Sequence, residues 1–175
     1  MRLDTENWKE YHLGDLFDKM YKAEAHVKGD YEFYDTLEGN TIRFISRTES
    51  NNGCDCYLAD KGLTGIEEGN AIAIGDTTAT CSYQAEKFVC GDHIVICRAK
   101  WMNLYTALFL LTLLKQEKYK YSYGRAFKMQ LIAETRIKLP AQKDGAPDWN
   151  YMEKYIKSLC GQGVIIPAQP RPRGT

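Results

Sequence analysis

The strongest constraint on this chain is a series of short β-rich runs, residues 41–46 (TIRFIS), 56–59, 71–75 (AIAIG), 79–84 and 93–98 (HIVICR). Each is bounded by residues that turn a backbone, including Asn51-Asn52-Gly53 and Gly75-Asp76. Glycine and asparagine accept positive φ and reverse a strand, so this punctuation predicts a sheet of five or more strands and excludes a helical bundle. The sheet is expected to be twisted, mostly antiparallel and partly barrel-like. With 175 residues, one domain is favoured.

Helical periods frame the sheet. Leu13, Leu16, Phe17 and Met20 recur at helical spacing behind Trp8, predicting a short amphipathic helix. Asn103 can cap a helix to about Lys115 that is apolar nearly all round and so belongs against the sheet. Residues 129–139 read as a further strand closed by Pro140, and 141–147 as a polar connection. Asp148 then caps a helix carrying Trp149, Met152, Ile156 and Leu159 at spacings of 3, 4 and 3. That seam is too short for an independent coiled coil and must dock on this domain or on another helix. The expected class is α+β: a domain over 1–146, the start of a spacer or dimerisation helix over 147–162, and a flexible tail over 163–175.

Several functions are excluded by what the sequence lacks. The apolar stretch 104–114 is broken by Thr106 and Thr112 and falls short of the roughly 20 residues a bilayer span needs. The charged first ten residues carry no signal-peptide core, so a cytoplasmic chain is expected. Six irregularly placed cysteines are read as reduced thiols. Cys90, His93 and Cys97 lie on one predicted strand, which points Cys90 away from the other two, so they are read as packing residues and not as a zinc site. No Walker A loop, dinucleotide fingerprint, zinc-protease helix or serine elbow occurs, nor a methyltransferase or nuclease signature. No catalytic residue, cofactor or metal ligand is assigned.

Charge is distributed unevenly under a net of zero. Residues 1–97 hold 9 Lys/Arg against 18 Asp/Glu, whereas residues 98–138 hold 9 against 2. The basic segment is interleaved with Tyr119, Tyr121 and Tyr123, the composition of a phosphate-contacting surface or of a solvated helix end.

The order of several short elements resembles one family. Trp8 precedes Leu13-Gly14-Asp15-Leu16-Phe17, and Phe44-Ile45-Ser46-Arg47-Thr48 runs into Asn51-Asn52-Gly53. Gly75-Asp76-Thr77-Thr78-Ala79-Thr80 and Ser82-Tyr83-Gln84 precede Phe88 and a Leu/Phe-rich helix. Lys120-Tyr121-Ser122-Tyr123-Gly124-Arg125, Ile137-Lys138-Leu139-Pro140 and Pro147-Asp148-Trp149 follow. Over about residues 8–160 this resembles the specificity (S) subunits of type I restriction–modification systems, especially the single target recognition domains of the type IIB-like branch. The resemblance implies a non-catalytic reader of double-stranded DNA that holds a DNA methyltransferase on its target, and in type I complexes a restriction subunit too. Family members carry two such domains joined by long helices, whereas this chain has one, so a homodimer, a half-length subunit or a fragment is implied.

Candidate contacts follow from residue chemistry. Arg47 can address guanine, and Asn51 and Asn52 adenine, although a plain tight turn is the favoured reading of the asparagines. Thr77, Thr78, Thr80, Ser82, Tyr83 and Gln84 suit phosphates and bases, or an ordinary solvent-facing strand. Tyr121, Tyr123, Gly124 and Arg125 are favoured as DNA contacts, and Lys118, Lys120 and Lys128 as phosphate contacts. Trp149, Met152, Ile156 and Leu159 are candidates for a protein partner. A competing reading is a DNA-mimicking or protein-interaction module that occupies the methyltransferase through the acidic first half.

Overall fold

A computed structural model of the chain describes residues 3, 5–118 and 128–160. Ten strands lie among them: β1 (Trp8–His12), β2 (Lys19–Lys22), β3 (Phe33–Tyr34), β4 (Thr41–Ile45), β5 (Cys54–Ala59), β6 (Ala71–Gly75), β7 (Cys81–Gln84), β8 (Phe88–Cys90), β9 (Ile94–Arg98) and β10 (Arg136–Pro140). The helices are α1 (Leu104–Glu117), α2 (Met129–Glu134) and α3 (Trp149–Cys160). One four-stranded sheet has the order β2-β9-β6-β7, a second β3-β5-β4-β8, and β1 pairs with β10. Every pairing between these strands is antiparallel except β4 with β8. The fold is α+β with antiparallel-rich sheets that do not close into a barrel.

Alternation along β6 and β9 sets the layers, because successive side chains of a strand point to opposite faces. Ile72, Ile74, Val95 and Cys97 enter a core with Ala107, Leu110 and Leu114 of α1. Ala71, Ala73, Ile94 and Ile96 enter a second core with Ile45 and Cys54 from the other sheet and Phe88 and Cys90 of β8. A sheet apolar on both faces thus joins the helical layer to the second sheet, whose Phe44, Cys56, Leu58 and Val89 form a third cluster. This is why β6 reads as an unbroken apolar run.

The two long helices start where their caps predict. Asn103 Oδ1 accepts from the Tyr105 and Thr106 amides at 2.9 and 3.1 Å, and Thr106 Oγ1 accepts from the Asn103 amide at 2.9 Å. Asp148 Oδ1 accepts from the Tyr151 amide at 2.9 Å. α3 docks on its own domain: Met152 is fully buried, and the Trp149 ring stacks on Trp101 with centroids 3.7 Å apart. Trp149 and Met152, expected to face a partner, are therefore occupied internally, while Ile156 and Leu159 are half-buried.

Two predicted elements are corrected. The helical spacing of Leu13 to Met20 is divided between a tight 3-10 turn, Leu13–Leu16, and strand β2, whose Met20 lies opposite Cys97. Long-range pairing overrides a period of barely two turns there. The strand expected over 129–139 divides as well. Met129–Glu134, rich in helix formers, is helical, and only Arg136–Pro140 pairs. Helix α2 lets Ala133 meet Gly14, where an added Cβ would lie 2.9 Å from the alanine's own.

The thiols behave as packing groups. Cys54, Cys56, Cys90 and Cys97 are buried and free, and burial pushes all four up. Cys81 is pushed up to about 11 for the same reason. His93 sits in the turn between β8 and β9, with φ of 63°, and not in a strand as expected. Among the described residues no His/Cys/Asp/Glu group is arranged to hold a metal, and no helix is long and apolar enough to cross a membrane.

Ile72 is fully buried in the core that α1 covers. Ile72→Ala should lower unfolding free energy by about 2–5 kcal/mol, read as a reduced urea midpoint at unchanged slope. A loss under about 1 kcal/mol would contradict its place in that core.

Candidate nucleic-acid interface

The loop after β4 is built to hold polar side chains in the open. Asn51 and Asn52 both adopt the left-handed region, with φ of 45° and 53°, which asparagine tolerates better than most residues. Gly53 follows at φ 81°, and a Cβ there would lie 2.7 Å from Ser82 Oγ. The tight-turn reading of these residues therefore holds, yet both asparagines remain exposed. Asn52 Nδ2 donates to the Tyr83 carbonyl at 2.7 Å, and Gln84 Nε2 donates to the Asn52 carbonyl at 2.8 Å and to Ser82 Oγ at 3.0 Å.

These bonds change the part taken by the hydroxyl- and amide-rich stretch. Gln84 is 1% exposed, Ser82 and Tyr83 each 6%, and Thr80 7%. The Tyr83 hydroxyl donates to Asn70 Oδ1 at 2.9 Å. Expected as contacts to DNA or as an ordinary solvent-facing strand, Thr80, Ser82, Tyr83 and Gln84 are buried: Tyr83 enters the core that α1 covers, while Ser82 and Gln84, on the other face of β7, lie against the loop after β4.

The turn between β6 and β7 completes the surface. Arg47 Nη1 donates to Thr77 Oγ1 at 2.7 Å, tying the two loops together. Thr77 is exposed and Thr78 half-buried. Below them Asp76 is buried, its amide donating to the His93 carbonyl at 2.9 Å and its carboxylate 3.5 Å from Lys22 Nζ. His93 Nδ1 lies 3.0 Å from Asp76 Oδ1. Only glycine fits at Gly75, where a Cβ would meet Thr80 Oγ1 at 2.5 Å, Thr78 Oγ1 at 2.7 Å and Arg47 Cγ at 3.0 Å.

Lys118, at the end of α1, forms an ion pair with Glu49 of the same loop. The Lys118 ammonium holds the Glu49 carboxyl below the usual carboxylate range, and Lys115 adds to the effect. Lys118 of the basic segment thus lies beside the loop that carries Arg47, Asn51 and Asn52. Other cations of the basic segment have internal partners: Arg98 Nη2 is 2.8 Å from Glu67 Oε2, and Arg136 Nη1 is 3.0 Å from Glu10 Oε1. Lys128 is exposed ahead of α2. Lys120, Tyr121, Tyr123, Gly124 and Arg125 lie outside the described residues. Glu49, Gly75, Asp76 and His93 are not among the site residues expected from sequence; Gly75-Asp76 carries a turn signal and part of the family resemblance.

Gly75→Ala should push Thr78, Thr80 and Arg47 apart and lower stability by about 1–3 kcal/mol, measured by thermal or urea unfolding. A neutral substitution would show that the two loops do not press on one another.

Residues 5–162 match the model of the type I restriction modification DNA specificity domain. The type II restriction enzyme specificity subunit S.BcgI of Heyndrickxia coagulans is 26% identical over 157 residues, 87% of this chain and 43% of that protein. The HsdS subunit from Thermoanaerobacter tengcongensis superposes at a TM-score of 0.61 and 13% identity, covering 92% of this chain and 39% of the other. The S subunit of a type I restriction–modification system from M. genitalium gives 0.57 and 14%, covering 90% and 40%. The chain spans about two-fifths of the length of these relatives. Its β-rich runs, its capped helices and the family model together lead to one conclusion: the chain belongs to the type I restriction modification DNA specificity domain family.

Proposed function

We propose that this chain is one DNA-reading domain of a restriction–modification specificity subunit, and that it directs a DNA methyltransferase to a particular sequence in the cytoplasm without catalysing a reaction itself. The observation that carries this reading is the tie between Arg47 and Thr77 together with the pair between Glu49 and Lys118. These unite the loop after β4, the β6–β7 turn and the end of α1 in one polar surface. Exposed Arg47, Asn51 and Asn52 supply groups for base edges, and Thr77 and Thr78 supply hydroxyls for phosphates. Lys118, Lys120 and Lys128 add cations, while Tyr121, Tyr123 and Arg125 beside Gly124 add stacking and base contact.

Residues 1–146 are the recognition domain in this reading, and 147–162 begin the spacer. Ile156 and Leu159, half-buried on α3, are its contribution to a methyltransferase subunit, a restriction subunit or a second copy of the chain. Two copies would read a palindrome, since identical domains related by a two-fold axis meet identical half-sites.

Fluorescence anisotropy with random and selected duplexes, with and without the methyltransferase, tests the proposal. Arg47→Ala and Arg125→Ala should each weaken binding to the selected duplex by about 1–3 kcal/mol and relax discrimination at one position. Lys128→Ala should weaken binding evenly across sequences and flatten the salt slope by about one. Capture of the methyltransferase by a chain that binds no duplex would replace DNA reading with DNA mimicry.

A further inference from the structure

Glu49 is an acid set in a surface otherwise suited to polyanions. It lies on the exposed loop between Arg47 and Asn51, two and two residues away, and its carboxylate pairs with Lys118 at the end of α1. Lys115, in the last turn of α1, acts on the same carboxylate. The cations are well placed there, because the end of a helix carries partial negative charge. The carboxylate is not needed to hold the fold, since Glu49 is exposed and surface pairs contribute little to stability.

We propose that Glu49 is a specificity-determining latch, occupying Lys118 in the free chain and releasing it to a DNA phosphate only when the loop engages matching bases. The inference rests on the DNA-reading function above. Nonspecific complexes depend almost wholly on phosphate neutralisation, so a cation withheld by Glu49 is lost to them. In the matched complex the carboxylate has a use of its own, as an acceptor for an exocyclic amino group such as cytosine N4 in the major groove. Glu49 then weakens random binding more than matched binding and widens the ratio between them.

The test measures full-length chain binding to a random-sequence duplex and to a selected duplex across a potassium chloride series. Glu49→Gln should raise random-duplex affinity about three- to ten-fold and steepen its log–log salt slope by about 0.9, because one more cation reaches phosphate. The selected duplex should change by less than about two-fold, since the freed cation is offset by a weaker acceptor. In a Lys118→Ala background the gain on random DNA should vanish. Equal gains on both duplexes, no gain on random DNA, or a gain that survives Lys118→Ala would each overturn the latch while leaving DNA reading intact. A wild-type chain that binds neither duplex would overturn the DNA-reading function and the latch with it.

Discussion

Everything in this fold depends on the double-sided burial of the sheet that contains β6 and β9. Ile72 and Ile74 face the core under α1, while Ala71 and Ala73 face the second sheet. The large residues meet helix side chains, whereas alanines allow the second sheet to approach closely. A slip of one residue would exchange these sets and place isoleucine where only alanine fits. The register in turn aligns Gly75 at the end of β6, and hence the turn that carries Thr77.

The polar surface inherits its geometry from that core. β7 pairs with β6, so its buried Ser82, Tyr83 and Gln84 sit at a set depth beneath the loop after β4. Gln84 donates to the Asn52 carbonyl, the Tyr83 carbonyl accepts from the Asn52 side-chain amide, and Ser82 Oγ holds Gln84. Two consecutive non-glycine residues in the left-handed region are costly, and they persist only where the surroundings fix them. Burial here therefore produces exposure nearby: three polar residues are hidden so that Asn51, Asn52 and Arg47 stand in the open in one conformation.

The uneven charge along the chain takes a different meaning once folded. Among the described residues, three cations of the basic segment pair with acids of the first half. Arg98 meets Glu67, Arg136 meets Glu10 and Lys118 meets Glu49. Pairing across the fold tempers the long-range field and leaves short-range chemistry to decide where a polyanion can sit.

Sequence by itself determined the β-rich plan, the strand positions at 41–45 and 71–75, and the starts of α1 and α3. These rest on local rules: Asn103 and Asp148 cap their own helices, and apolar runs between turn residues announce strands. The placing of Arg47, Asn51 and Asn52 in a loop after the strand was legible too, because turn residues announce it. Tertiary structure alone decided that Trp8–His12 pairs with Arg136–Pro140, and that Leu13 to Met20 is a turn and a strand. Partners distant in sequence outweigh local period where a segment is short. It also decided that Thr80, Ser82, Tyr83 and Gln84 lie below the surface, since α1 covers one face of β7 and the loop after β4 the other. Trp149 and Met152 turned inward for the same reason: a seam of apolar side chains specifies that something covers it, and only packing specifies what.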